Sequence, residues 1–351
     1  MPTATAPQTG APPAQTGSDF AQLARRINEA GLMRRRPAYY LARFTLIGVL
    51  FAGGWAALLL AGDTWLQLLT AAYMAVVSGL VALLGHDLAH RQVFRSRTSS
   101  ERVGYLVGNL VNGMGYGWWN DKHNRHHANP NHEELDPDVQ PGVILWSKRQ
   151  ARVARGIDRF TGKYQAFLFF PLLTLEGLNL HYSGIKSVLK PGLKHRGLEA
   201  GLLAVHFAAY FSILFTVLSP GKAVVFFLVH KALWGVYMGS IFAPNHKGMP
   251  TIVGESNLDF LRKQVLTSRN VKGGMVTDFF LGGLNYQIEH HLFPGMPSVH
   301  LARSQPIVRQ FCRERGVPYH ETGLIRSWKE ALGELHRNGA PLRKGAAVEP
   351  G

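Results

Sequence analysis

Four stretches of the chain carry almost no charge and show no polar stripe. Phe44 to Ala61 runs 18 residues and Trp65 to Leu84 runs 20 without an Asp, Glu, Lys or Arg, and Gly62-Asp63-Thr64 breaks them apart. A second pair lies far downstream. Gly201 to Leu218 contains His206, Ala223 to Ala243 contains His230 and Lys231, and Ser219-Pro220-Gly221-Lys222 between them has the composition of a turn. Crossing the hydrocarbon of a bilayer takes about 20 apolar residues. A helix packed on a soluble core would instead keep a polar face. The pattern predicts four spans, at approximately 44–61, 65–84, 201–218 and 223–243, arranged as two hairpins.

Shorter elements fill the space around them. Val103 to Trp119 holds five glycines and Asn112, which predicts an interfacial or re-entrant segment that returns to the face it left. Phe167 to Leu175 is apolar for only nine residues, is interrupted by Pro171, and is expected at the membrane surface. Asp19 to Gly31 reads as a short helix. Residues 1–18 are rich in Pro, Thr, Ala, Gln and Gly and lack the apolar run of a signal peptide; they and residues 339–351 are expected as disordered tails. The fold class that follows is an all-α membrane protein: one domain over 19–338, four transmembrane helices in two hairpins, and a helical cap.

Charge orients this arrangement. The net charge is +16 with pI ≈ 10.1, six arginines precede Phe44, and the segments from Arg91 to His195 and from Lys247 onward are rich in Lys and Arg. The two hairpin turns hold a single lysine, Lys222. The positive-inside rule then places both termini and the large loops in the cytoplasm, against anionic lipid. No aromatic RNA platform or zinc-finger spacing accompanies the charge, so nucleic acid is not an expected partner. The single cysteine, Cys312, rules out an intrachain disulfide, a CxxC pair and a four-cysteine cluster.

The chemistry lies in histidine spacing. His86 and His90 stand four apart; His123, His126 and His127 share a helical face; Gln287, His290 and His291 repeat that spacing with Gln in the first place. All three clusters fall on the cytoplasmic side provided Val103–Trp119 does not cross. His246, just past the fourth span, matches His86 just past the second and is expected as an eighth ligand. Eight imidazoles exceed one metal ion and fit two with about four nitrogens each. Imidazole suits Fe, Zn, Cu and Ni. No cysteine lies near, and His132-Glu133-Glu134-Leu135-Asp136 starts like a zinc-protease helix but lacks its second histidine. His132 is expected in a solvated loop, His206 and His230 as neutral hydrogen-bonded packing groups, and Lys231 either snorkels or faces a tunnel mouth. Trp118 and Trp119 read as interfacial anchors, with tunnel lining as the alternative.

Taken together, H-x3-H at His86/His90, H-x2-H-H at His123/His126/His127 and Q-x2-H-H at Gln287/His290/His291 resemble, in order and spacing, the histidine boxes of membrane-bound fatty acid desaturases. The flanks Asn124 to Pro130, Leu284 to Tyr286 and Phe293 to Gly295 match as well, and the resemblance covers roughly Phe44 to Arg303. It implies a non-haem centre of two Fe ions ligated by these histidines, using O2 and two external electrons to desaturate a fatty acyl chain carried as acyl-CoA, acyl-ACP or acyl-lipid. It also implies orienting roles for Asp87, Asn124, Gln287 and Glu289, and a water held by Asn245. Gln287 in the third box is common among carboxyl-side desaturases. Those enzymes often carry a fused cytochrome b5 domain with His-Pro-Gly-Gly, which this sequence does not show. Electrons are therefore expected from a separate ferredoxin or cytochrome b5 type carrier with its reductase. Hydroxylation or ketolation of an alkyl or isoprenoid chain on the same scaffold is the alternative; a non-catalytic membrane metal-binding protein is a third reading, disfavoured because the ligands sit at one rim.

Overall fold

The computed structural model describes residues 18–343. The tail expected at 1–18 lies outside these residues except for Ser18, whose side chain accepts from the Ala21 N–H and caps α1 (Asp19–Glu29). Of the tail expected from 339, residues 339–343 are ordered. Ala340–Arg343 forms a helical turn whose Leu342 packs into a small core with Leu145 and Ala151, and burial of that leucine outweighs the polar composition around it. Residues 344–351 lie outside the described part.

Among the described residues, four helices are long and apolar enough to cross a membrane: α2 (Pro37–Ala61), α3 (Gln67–Ala89), α9 (Arg196–Val217) and α10 (Pro220–His246). Each extends beyond its apolar run because nothing in the flanks breaks it. Pro37 and Pro220 occupy first-turn positions where a missing N–H costs nothing. Gly62, at φ 64°, ends α2 in a conformation that suits glycine. Only 17% of the apolar window of α2 is buried, against 67% for α3, so α3 is the central helix and α2 an outer one. α3 packs most extensively on α10. The two connecting turns meet: Asp63 Oδ1 accepts from the Ser219 N–H and hydroxyl at 2.9 and 3.1 Å, and Lys222 Nζ lies 3.1 Å from its other oxygen. α3 and α10 therefore both run from this turn end to the opposite end, where His86 and His246 lie.

Between α3 and α9 the chain reverses direction. α4 (Arg97–Tyr105) passes into a π-helical turn at Leu106–Val111, and α5 (Tyr116–Ala128) runs back. The reversal is pinned by polar groups that the sequence left without a joint role. Buried Glu199 of α9 accepts from Asn109 Nδ2 at 3.1 Å and the Gly117 N–H at 2.9 Å. His181 and His206 bond the carbonyls of Gly113 and Leu110 through Nδ1 at 2.7 and 2.8 Å. A Cβ on Gly184 would lie 2.7 Å from the Gly115 nitrogen, so this glycine pair lets α8 (Glu176–Leu189) touch the turn backbone. Segment 103–119 thus reverses, and His123 of α5 comes within 2.9 Å of His90 at the end of α3. His230 bonds Tyr210 and Ser78 at 2.7 and 3.1 Å, and Lys231 is buried between the rings of Tyr210 and Trp234, so it neither snorkels nor lines the mouth.

α6 (Lys148–Val153) and α7 (Gly156–Leu173) complete the middle of the chain. After α10, the short helices α11 (Phe260–Leu266), α12 (Met275–Phe280) and α13 (Gln287–Leu292) are followed by α14 (Ser298–Glu314), α15 (Leu324–Asn338) and the turn already described, α16. One parallel strand pair, Asn270–Val271 with Glu321–Thr322, ties this region together. The cap has its own core: Leu23 and Ile27 of α1, Leu261 and Val265 of α11, Ile288 and Leu292 of α13, and Val308, Phe311 and Cys312 of α14. His132 and Glu133, expected in a solvated loop, are buried. Pairing with the 250s loop draws them in: His132 bridges to Ile252 and bonds the Gly254 carbonyl at 3.1 Å.

Candidate metal centre

Four elements deliver eight imidazoles to one place. The last turn of α3 supplies His86, and His90 follows as its C-cap; α5 supplies His123, His126 and His127; α13 supplies Gln287, His290 and His291; His246 is the last residue of α10. Their nitrogens form two groups, His86, His90, His123, His127 and His290 in one and His126, His246 and His291 in the other, each with all ligand atoms within 4.8 Å of one another. The division is five and three, where the sequence suggested about four and four. The cause is helical: His123 and His127, four apart, face α3 together, whereas His126 turns toward α10.

The donor set fits metal ions. In the larger group, Nε2 atoms follow one another at 3.2 Å (His86–His290), 3.1 Å (His290–His127), 3.1 Å (His127–His123) and 2.9 Å (His123–His90). Metal–nitrogen bonds of about 2.0–2.1 Å place neighbouring ligands roughly 3 Å apart when they meet near a right angle. In the smaller group, His126 Nε2 lies 3.3 Å from His246 Nε2, and the buried Nε2 of His291 has no partner among the described residues. A buried ring nitrogen without a partner is costly unless something binds it. Desolvation, reinforced by the neighbouring rings, holds His90, His123, His127, His290 and His291 well below the ordinary imidazole pKa, so their lone pairs are free to donate. An all-nitrogen set of this kind is suited to iron, zinc, copper or nickel.

Supporting bonds fix the ring orientations. Asp87 Oδ1 lies 3.4 Å from His86 Nδ1, while its Oδ2 accepts from Arg43 at 2.6 Å and Ser298 at 3.2 Å. Gln287 Nε2 lies 2.9 Å from His246 Nε2, and Asn245 Nδ2 lies 3.3 Å from Gln287 Oε1. Asn245 leaves its buried Oδ1 without a protein partner. Glu289 faces away from the rings: Asn270 and Tyr319 donate to it at 2.6 and 2.7 Å, and burial raises its pKa. Asn124 does not reach the imidazoles. Next in sequence to His123, it projects from another helical face, is exposed, and bonds Asn120 at 3.2 Å.

Sequence reasoning missed four supports. Asp136, fully buried, accepts from His126 Nδ1 at 2.9 Å. Gln264 Oε1 holds His291 Nδ1 at 2.9 Å, the Thr267 carbonyl holds His246 Nδ1 at 3.1 Å, and Trp119 stacks on His123 with ring centres 4.5 Å apart. Asp136 had a signal, since it closes the acidic run after His132; Gln264 and Thr267 had none.

A cleft of about 380 Å³ opens onto the smaller group. His123, His126, His246 and Gln287 form one end; Trp119, Leu172, Leu173, Leu180, Met238 and Phe242 form apolar walls; Lys122, Asp138, Glu176 and Lys247 lie along its polar side. Lys122 Nζ sits 2.5 Å from Asp138. Against the effect of burial, Lys122, His126 and Lys247 hold the Asp138 carboxyl below its usual range.

The family model described as "Fatty acid desaturase" matches residues 63–323. The acyl-lipid (9-3)-desaturase of Physcomitrium patens is 32% identical over 317 residues, covering 87% of this chain and 60% of that protein. The Delta(8)-fatty-acid desaturase of Helianthus annuus is 28% identical over 316 residues, with 86% and 69% covered. A Delta(5) fatty acid desaturase of Caenorhabditis elegans is 29% identical over 325 residues, with 87% and 70% covered. The chain therefore spans 60–70% of the length of these relatives.

Proposed function

The chain belongs to the fatty acid desaturase family, and from that premise we propose that it introduces a double bond into a fatty acyl chain, using O2 and two externally supplied electrons. The observation that carries this reading is the placement of eight converging imidazoles at the end of an apolar cleft. In balance, a –CH2–CH2– unit, one O2, two electrons and two protons give –CH=CH– and two waters.

Two iron ions are assigned, one to His86, His90, His123, His127 and His290 and one to His126, His246 and His291, with Gln287 and Asn245 beside the second. Iron in such a nitrogen set would supply the O2 activation needed to attack an unactivated methylene, a bond that offers no handle to acids or bases. The protein residues do the rest. Leu172, Leu173, Leu180, Met238 and Phe242 would exclude water and fix which methylenes lie beside His126 and His246. Lys122 and Lys247, at the polar side, would meet the carboxyl end of the chain, delivered as acyl-CoA, acyl-ACP or acyl-lipid. Asp87, Asp136 and Gln264 keep the imidazoles in register. Four spans, with the histidine end and both termini in the cytoplasm, agree with the Lys/Arg-rich loops. The printed names of the relatives, Delta(8), Delta(5) and (9-3), favour insertion toward the carboxyl side.

The test is expression in a host of known lipid content with matching electron carriers, followed by fatty acid analysis. A new double bond, lost in His126→Ala, is expected. An added hydroxyl or keto oxygen, or unchanged lipids with an active carrier present, would refute the reading.

A further inference from the structure

No residue of α12 (Met275–Phe280) is buried, whereas every residue from Leu281 to Phe293 is. Its apolar side chains stand outward: Met275 is 88% exposed, Val276 66%, and Phe279 and Phe280 41% each. Asp278 turns inward. It accepts from Asn285 Nδ2 at 2.9 Å and the Tyr286 hydroxyl at 3.2 Å, just before the ligand helix α13. A helix facing water would be built the other way round.

The neighbours of α12 place it beside the spans. The Tyr237 hydroxyl of α10 donates to the Phe280 carbonyl at 2.5 Å, the Tyr237 ring lies against Gly79 of α3, and Leu83 of α3 approaches Gly282. Tyr237 stands nine residues before His246 and Gly79 seven before His86, about 13 and 10 Å along their helices. Both lie within apolar runs. One turn further from the histidines on the same faces, Val76 and Leu233 are exposed, so the outward strip of α3 and α10 runs on to α12. The backbone agrees with an apolar setting, since hydrocarbon offers no partner to a free carbonyl. The last four carbonyls of α12 are all taken: Thr277 by the Leu281 N–H at 2.9 Å, Asp278 by Gly283 at 3.0 Å, Phe279 by Gly282 at 3.3 Å, and Phe280 by Tyr237.

We propose that α12 is a wedge seated among the lipid acyl chains of the leaflet at the histidine end of the spans, and that this seat holds α13 against the metal groups. The proposal rests on the four-span reading. A second copy of the chain would also cover the exposed rings. Lipid is the occupant because the face is level with the apolar runs and continuous with Val76 and Leu233. The link to the site is local. α13 has six residues, too few to keep a helix in place alone, and it serves both groups of imidazoles. Through Asp278, α12 holds Asn285 and Tyr286, the two residues before Gln287. A wedge that stays in the leaflet fixes the level at which α13 begins.

The experiment places single labels in the full chain, in nanodiscs of phosphatidylcholine. Met275→Cys, Val49→Cys and Asn257→Cys each carry an environment-sensitive fluorophore, while the buried Cys312 stays unlabelled. Val49 is exposed on α2 and Asn257 on the loop before α11. Quenching by nitroxide borne on the lipid acyl chains is compared with quenching by aqueous iodide. The Met275 label is expected to follow Val49, with strong nitroxide quenching and at least about fivefold less iodide quenching than at Asn257. A Met275 label that follows Asn257 overturns the wedge and leaves the spans standing. Iodide reaching both the Met275 and Val49 labels would refute the spans themselves. A Met275 label shielded from both quenchers, with two chains per nanodisc by mass, would mark a contact between copies and also overturn the proposal. The link to the site is read separately. Val276→Asp with Phe279→Asp puts charge where the bilayer disfavours it and is expected to expel α12. Fe(II) affinity should then fall at least about tenfold, the scale of losing a group that orients ligands. An unchanged affinity in this variant, once its Met275 label has become open to iodide, overturns the link. None of these readouts depends on desaturation.

Discussion

Asp136 offers the sharpest probe of how the smaller histidine group is held. Its carboxylate is fully buried and accepts three bonds: from His126 Nδ1 at 2.9 Å, the Asn131 N–H at 2.8 Å and the Asp138 N–H at 2.8 Å. Asp136→Asn keeps the shape but replaces one acceptor oxygen by a donor. If the amide nitrogen takes the Oδ1 place, it confronts the Asp138 N–H, a donor against a donor. If it takes the Oδ2 place, it confronts His126 Nδ1 and the ring proton must move to Nε2, where the lone pair toward His246 and His291 is lost. Loss of an orienting partner of this type costs about 10–100-fold in metal affinity, or roughly 1.4–2.7 kcal/mol. The assay is competition for Fe(II) against a chromophoric chelator, with metal content counted per chain. Wild type is expected to retain two ions, and Asp136→Asn one under the same limiting metal. Melting of the metal-free proteins separates this from a folding defect, and Asp121→Asn, an exposed carboxylate on α5, serves as the unchanged control. Two ions bound by Asp136→Asn within twofold of wild-type affinity would refute the reasoning.

Three further outcomes are expected. Leu172→Trp narrows the apolar cleft; two methylenes denied burial, at about 0.8 kcal/mol each, cost about 1.6 kcal/mol, so conversion of the longest acyl chains should fall roughly tenfold relative to shorter ones in a mixed-substrate product analysis. Gly184→Val forces a side chain against the Gly115 backbone; overpacking of this kind costs about 1–3 kcal/mol, and an unaltered Tm would show that the contact is slack. The Cys312 thiol is fully buried and burial pushes its pKa up to about 12, so iodoacetamide at mildly alkaline pH should label it only after denaturation, as mass spectrometry can read directly.

Which parts were legible in the sequence follows from the range of the interactions involved. The four apolar helices were readable because a bilayer-length run needs no partner to declare itself: Phe44–Ala61 and Trp65–Leu84 are apolar whatever they touch. The histidine spacings were readable because α-helical geometry puts residues four apart on one face, and the resemblance they carry matches the family later found. The reversal of 103–119 was expected from a logical demand, that one site cannot straddle a bilayer. Glycine content spoke for it, but the pins that enforce it, Glu199, His181 and His206, lie far along the chain and had no local signature.

The tertiary structure decided what depends on distant segments meeting. It divided the imidazoles five and three, because the side of α5 that each histidine takes matters only once α3 brings His90 to His123 and α10 brings His246 to His126. It brought Asp136 and Gln264 to the rings and left Asn124 outside them, since a residue's neighbour in sequence projects to another face of the helix. It buried His132 and ordered Ala340–Arg343, where composition alone argued for solvent. Period and composition determine which side chains the chain offers; which of them share a wall, a bond or an opening depends on packing between helices that the sequence separates by more than two hundred residues.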